Sequence, residues 1–185
     1  MNSLVIMGVA GCGKSSLGLA VAQQMHLDIV EGDDHHSTGN LDKMQRGIAL
    51  TDADRAGWLA TLGSQLSCHP NGLVLTCSAL KRAYRDQLRL AAQGLRFVFL
   101  DISRDDATAR VRARAASHFF SASLMDSQFS TLEVPTGEVG VLCVDALLPL
   151  VQLQAQVCDW LSANPETTDQ PLNQQISQPL KKEKA

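Results

Sequence analysis

The sequence predicts an α/β fold: a doubly wound parallel sheet of five strands with helices on both faces. Three observations carry this. Five short segments read as near-continuous apolar runs, the pattern of strands covered on both sides. Segments of helical periodicity separate them, as crossovers between parallel strands require. Near the N-terminus, Gly8-Val9-Ala10-Gly11-Cys12-Gly13-Lys14-Ser15 lies between an apolar run and a helix. It matches the phosphate-binding loop G-x-x-x-x-G-K-[ST], which needs that strand–loop–helix context.

The elements follow in order. Residues 3–7 form the first strand and 16–25 the first helix. A second strand, 27–31, ends in Gly32-Asp33-Asp34. A short helix is expected over 41–46. A longer one, 52–66, puts Trp58, Leu59, Leu62 and Leu66 on one face, with Thr51 or Asp52 as its cap. The third strand, 72–77, leads through Ser78 into a helix over 80–91, which Ser78 can cap. The fourth strand is 96–100, followed by a helix over 105–114, an interruption at 115–121 and renewed helix over 123–132. The fifth strand is 139–144 and the last helix 150–161. The reading is one domain over 1–162, with a mobile lid over about 112–132. Residues 163–185, polar and without an aromatic side chain, are expected to be a mobile tail.

Composition narrows the function. Among 185 residues 45% are apolar, ample for a core, and the net charge of −3 offers no broad basic surface for nucleic acid. No apolar stretch approaches the roughly 20 residues that span a bilayer, and no basic segment opens a signal peptide. The five cysteines, at 12, 68, 77, 143 and 158, are scattered without a C-x-x-C pair. That favours reduced thiols in a cytoplasm.

The phosphate loop is the strongest chemical signal. Its glycines let the backbone curl around a phosphate, and its amides point inward at a helix N-terminus. Gly8, Val9, Ala10, Gly11, Cys12, Gly13, Lys14, Ser15 and Ser16 are therefore expected to bind nucleotide. Lys14 reaches the outer phosphates and Ser15 ligates Mg2+. Cys12, near Lys14, reads as a small loop filler, or as an oxidant-sensitive thiol.

Other clusters fall at strand ends, where ligands bind in such folds. Asp33 or Asp34 can orient a hydroxyl and take its proton; the plain alternative is a solvated acidic turn. His35 and His36 lack metal-ligand spacing. Lys81 and Arg85, four apart, share a helical face suited to a carboxylate or phosphate, whereas Arg82 reads as solvated surface. Arg110 and Arg114 share a face next to the expected lid and suit the charge of a γ-phosphate; Arg112 points elsewhere. Asp101 ends the fourth strand without a following Glu to activate water. It reads as a turn residue.

Several stretches together carry a family resemblance. They are the phosphate loop, Gly32-Asp33-Asp34-His35-His36 through Asn40 and Lys43-Met44, and Leu50-Thr51-Asp52-Ala53-Asp54-Arg55 with Trp58-Leu59. They continue with Cys77-Ser78-Ala79-Leu80-Lys81, Tyr84-Arg85-Asp86, His118-Phe119-Phe120, and Gln128-Phe129 with Leu132-Glu133 and Pro135. Over residues 4–150 the chain resembles the bacterial-type gluconokinases, small P-loop sugar-acid kinases related in fold to shikimate and nucleoside monophosphate kinases. The resemblance implies ATP and Mg2+ as cofactors, D-gluconate as acceptor, 6-phosphogluconate as product, a cytoplasmic location and often a homodimer. It implies Asp33 as the acceptor-side carboxylate, His36, Arg55, Lys81 and Arg85 as contacts to gluconate or phosphates, and His118 in the lid. Lys14, Asp33 and Arg114 are the expected catalytic residues. Two departures stand out: Ser37 where the family usually has Pro, and a lid one residue longer that lacks the Gly before its His. Another sugar acid or a shikimate-like hydroxy acid is the alternative acceptor. A nucleotide-hydrolysing regulator would call for a base-reading N/T-K-x-D or a water-activating acidic pair, which the sequence lacks.

Overall fold

The structure is a computed structural model and describes residues 3–114 and 122–163. Its elements are β1 (Leu4–Met7), α1 (Lys14–Met25), β2 (Asp28–Glu31), a 3-10 turn (Gly32–His35), α2 (Thr38–Gln45), α3 (Asp52–Cys68), β3 (Leu73–Cys77), α4 (Arg82–Ala91), β4 (Arg96–Asp101), α5 (Arg104–Arg114), α6 (Ala122–Thr131), β5 (Val141–Asp145) and α7 (Leu150–Ser162). The sheet is wholly parallel in the order β2-β3-β1-β4-β5. Met7, the last residue of β1, aligns with Cys77 on β3 and Phe99 on β4. The strand ends therefore share one edge.

Alternation along the strands feeds two cores. Leu4, Ile6, Val74, Val98 and Leu100 pack with Leu17 and Val21 of α1 and Leu153 and Val157 of α7. Val5, Met7, Leu73, Leu75, Phe97 and Phe99 face Trp58, Leu59, Leu62 and Leu66 of α3 and Tyr84 and Leu88 of α4. Both faces of the sheet are covered, as the apolar strands require.

The helix starts differ from expectation for identifiable reasons. The helix expected over 41–46 begins at Thr38, because Ser37 Oγ accepts the Asn40 N–H at 3.2 Å. Helix α3 starts with a capping box: Thr51 Oγ1 accepts from Asp54 N at 3.2 Å and the Asp54 carboxylate accepts from Thr51 N at 2.9 Å. Ser78 does not cap α4. That helix begins only at Arg82, whose N–H donates to Glu133 at 2.6 Å across the chain. Before it, Ala79 adopts a left-handed φ of 41°.

Arg85 holds that strained segment. It is fully buried, and its Nη1 donates to the carbonyls of Ala79 at 2.9 Å and Leu80 at 3.1 Å. The rest of the guanidinium grips Glu138, with Nε donating to Oε2 at 3.0 Å and Nη2 to Oε1; Arg89 Nη2 adds a further bond at 3.0 Å. Arg85 is thus not an exposed partner of Lys81. The i,i+4 spacing puts the two on one face, but that face is turned inward at Arg85.

The expected lid residues 115–121, including His118, and the tail from 164 lie outside the described residues, as does the Arg114 side chain. Among the described residues no helix is long and apolar enough to cross a membrane.

Glu138→Ala would leave the Arg85 charge buried and unpaired, which typically costs about 3–5 kcal/mol. The neighbouring Arg85 guanidinium, and then Arg89, hold the Glu138 carboxyl below its usual range, against the opposing effect of burial. A depressed folded pKa contributes stability above the unfolded value of about 4.3 and loses it as pH falls through the folded pKa. Thermal melts should show a large Tm deficit for the variant at pH 7 that narrows steadily below about pH 4.

Candidate active site

At the carboxyl edge of the sheet a cleft of about 520 Å³ is lined by Lys14, Ser15, Ser16, Glu31, Asp33, His36, Arg55 and Ser78, with Leu124 and Gln128 of α6 closing one side. Each wall is fixed by a different device.

The phosphate loop leaves β1 at Gly8 and enters α1 through Gly13, whose φ of 107° is a conformation L side chains resist. Lys14 Nζ folds back to donate to the carbonyls of Gly8 at 3.2 Å and Val9 at 3.1 Å. Cys12 is buried beneath the loop, which makes it a filler rather than an exposed thiol. Arg110 reaches the loop from α5, donating to Cys12 O at 3.3 Å and to Ala146 O, beyond β5, at 2.9 Å. Of Arg110 and Arg112, the two expected arginines whose side chains are described, it is Arg110 that contacts the loop; Arg112 is exposed. Gln128 Oε1 accepts the Ala10 N–H at 2.6 Å, tying α6 to the same loop.

Glu31 is a site residue that the sequence reading missed. Ser15 Oγ donates to its carboxylate at 3.0 Å, and so does Thr76 Oγ1 of β3. Adjacent hydroxyl and carboxylate oxygens suit Mg2+, which is held by one or two carboxylates together with phosphates rather than by a full protein cage. Among the described residues no group of three His, Cys, Asp or Glu that could hold a metal occurs. The available signal was an acid ending the second strand. Its pairing with Ser15 depends on the sheet order, in which β3 alone separates β2 from β1.

The opposite wall carries Asp33 and His36. The Trp58 indole N–H donates to Gly32 O at 2.7 Å, and its ring stacks on His36 with centroids 4.4 Å apart and planes 14° from parallel. Trp58 thus holds both ends of the 3-10 turn that presents Asp33. Among the described residues no hydrogen-bond donor reaches the exposed Asp33 carboxylate, so it is free to meet a ligand. Asp34 is exposed and stands outside the cleft lining. Burial pushes the His36 imidazole below its usual value; Arg55 adds to this and Asp33 opposes it. Deeper in, Arg55 is only 9% exposed, and its Nε has no hydrogen-bond partner among the described residues. A buried guanidinium nitrogen without an acceptor is costly unless a ligand supplies one.

Lys81 is engaged elsewhere: its Nζ donates to both Asp52 oxygens, at 2.8 and 2.7 Å, and it is not among the cleft-lining residues. Tyr84 OH also donates to Asp52, and the Arg55 guanidinium and Lys81 Nζ lie over the Tyr84 ring, at 5.9 and 5.7 Å from its centroid. Lys81 and Tyr84 hold the Asp52 carboxyl below its ordinary value. Cys77, behind Gly32, is pushed up to about 12 by burial and is a packing residue.

Comparison with known proteins adds an independent line. The gluconokinase of Gluconobacter oxydans is 44% identical over 145 residues, spanning 76% of this chain and 80% of that protein. The crystal structure of a gluconokinase from Sinorhizobium meliloti superposes with a TM-score of 0.78 at 43% identity, covering 86% of this chain and 95% of that one. A shikimate kinase from Acinetobacter baumannii, at 12% identity with a TM-score of 0.60 over 87% of this chain and 93% of that one, shares the fold alone. No family model matches the chain.

Gly32 is where the acceptor wall is tightest. A Cβ there would run into the Thr76 carbonyl oxygen and lie 3.0 Å from Cys77 Cβ. Gly32→Ala should lower stability by about 1–3 kcal/mol, the usual range for overpacking. Urea denaturation should show this as a lower midpoint with an unchanged slope.

Proposed function

The chain belongs to the gluconokinase family, and from that premise we propose that it transfers the γ-phosphoryl group of ATP to the C6 hydroxyl of D-gluconate. The products are 6-phospho-D-gluconate and ADP. The observation that carries this is a cleft lined by the phosphate loop, by the free carboxylate of Asp33 and by Arg55, whose buried Nε has no hydrogen-bond partner among the described residues.

In this mechanism the loop amides and Lys14 hold the β- and γ-phosphates. Lys14 exchanges the Gly8 and Val9 carbonyls for phosphate oxygens. Arg110 steadies the loop, and Arg114 meets developing γ-phosphate charge from the lid over 112–132. Ser15 and Glu31 are the residues that would hold Mg2+, whose chemistry is to neutralise phosphate charge. Asp33 orients the C6 hydroxyl and takes its proton as the oxygen bonds to the γ-phosphorus and the bond to the bridging oxygen of ADP breaks. Arg55 supplies the buried cation for the gluconate carboxylate and His36 a polar contact to the polyol. Lys81 acts through the Asp52–Tyr84 network beside Arg55, and Arg85 through the loop it braces. The free thiols of all five cysteines support a cytoplasmic location. A homodimer rests on family membership alone. A polyol acid of another length would meet the same groups, so a coupled ADP-release assay across a panel of sugar acids is the deciding experiment. Gluconate should give the highest kcat/KM; ADP release without any acceptor would overturn the proposal.

Two sets of variants probe the chemistry. Lys14→Ala should abolish turnover, and Asp33→Asn should cut kcat by about 10²–10⁴-fold while the KM for ATP stays within a few-fold. Glu31→Gln should raise the Mg2+ concentration needed for half-maximal activity on the order of tenfold. Saturating Mg2+ should restore most of kcat, as steady-state titration would reveal.

A further inference from the structure

We propose that Asn40 is a positioning residue that sets the tautomer of His36, so that the imidazole meets the acceptor as a hydrogen-bond donor through Nε2–H. The proposal rests on the reading that this cleft holds the sugar acid. The structure supplies the constraint through one amide group.

Asn40 is buried on α2, at 5% exposure. Its Nδ2 donates to the Asp54 carbonyl at 2.9 Å. A carbonyl only accepts, so the amide nitrogen, not its oxygen, must face α3. The same nitrogen lies 3.4 Å from His36 Nδ1. An NH2 group only donates, so Nδ1 must present a lone pair, and a neutral imidazole then carries its proton on Nε2. Stacking on Trp58 fixes the plane of the ring, which lines the cleft. Nε2 lies on the side of the ring away from Nδ1 and has no partner among the described residues.

The charged groups around the ring keep it neutral. Asp33 on the 3-10 turn favours the imidazolium, but burial first and Arg55 on α3 second act against it. The Asp54 carboxylate is occupied by Lys43 at 2.6 Å and by Thr51, and held near 2, so it does not compete for the ring. A neutral donor at Nε2 recognises an oxygen lone pair, on a hydroxyl or a carboxylate. It cannot take the proton of the reacting hydroxyl, which leaves that task to Asp33. His36 is thereby a specificity contact, with its chemistry decided one residue further back.

The first test needs neither variant nor acceptor. In the free protein labelled with 15N-histidine, the His36 spectrum should show a pyrrole-type, protonated Nε2 and a pyridine-type Nδ1 near neutral pH. The opposite tautomer, or an average of the two, overturns the proposal. This result is independent of which sugar acid the enzyme phosphorylates. If gluconate fails in the acceptor panel while this spectrum is found, the function falls and the tautomer stands.

The second test is Asn40→Asp. A carboxylate there accepts from Nδ1–H, leaves Nε2 bare at high pH, and raises the histidine pKa. The gluconate KM should rise on the order of tenfold at pH 8, with the ATP KM unchanged. It should recover as pH falls and the ring gains its second proton, whereas the wild type shows no such recovery. A KM defect that is independent of pH, or shared by ATP, would mark Asn40 as merely structural and overturn the proposal. Should the variant not fold, the spectrum of the wild-type protein decides alone.

Discussion

The geometry of the cleft depends on one constraint, the position of β1 between β3 and β4 in a parallel sheet. All four β1 residues are fully buried. Their neighbours fix the register at Met7, Cys77 and Phe99. The chain leaving β1 can only turn upward at the sheet's carboxyl edge, and there it must meet the N-terminus of α1. Gly13 makes that entry in a conformation closed to most side chains. The result is a loop whose Gly11, Gly13 and Lys14 line the cleft before any ligand arrives, with the Ala10 N–H held by Gln128 and Lys14 parked on the loop's own carbonyls. Such preorganisation is what phosphoryl transfer asks of a protein, since little covalent chemistry is left for it to perform.

The two walls of the cleft are held by different means. Sheet pairing fixes the phosphate wall. The acceptor wall hangs on side chains: the Trp58 indole under the turn, the Asn40 amide between α2 and α3, and the Thr51–Asp54 capping box at the base of α3. Between the walls runs the segment from Cys77 to Lys81, whose Ser78 carbonyl accepts the Gly8 N–H at 3.3 Å. A left-handed Ala79 costs energy there, and Arg85 and Glu138 offset it from behind. A buried ion pair contributes little net stability compared with apolar packing of the same volume. Its value here is geometric, because a bidentate guanidinium that also grips two carbonyls admits one arrangement of the segment.

How far the sequence could be read follows from which signals are local. The phosphate loop, the five strands and the long α3 are written in contiguous patterns, and the structure reproduces them within a few residues. Glu31 was invisible for a different reason: its partners Ser15 and Thr76 lie on two other elements, and only the order β2-β3-β1 brings the three together. Lys81 and Arg85 illustrate the limit of periodicity. Spacing of four gives a shared face but not whether that face meets water or core, and α4 sinks Arg85 while Lys81, its N-cap, reaches Asp52. Ser78 looked like a helix cap because hydroxyls favour that role. The true cap of Arg82 comes from Glu133, fifty-one residues later, beyond the reach of local pattern.

Ser37, where the family resemblance implies proline, shows how a serine can hold a proline-like backbone. Its φ of −61° is the value a proline would impose through its ring, and its ψ of 155° is one that proline commonly adopts. Serine does not restrict φ in this way, so its unfolded chain is freer and more entropy is lost on ordering it. In exchange its hydroxyl accepts the Asn40 N–H at 3.2 Å, a bond no proline can make. That bond fixes the first turn of α2 at the residue whose side chain spans His36 and Asp54. The loss of a stiff ring is thus met by a cap worth about 1 kcal/mol, and it acts on the backbone of the one amide that determines which imidazole nitrogen faces the acceptor. Rigidity at this corner comes from a hydrogen bond where a proline would supply a covalent restriction.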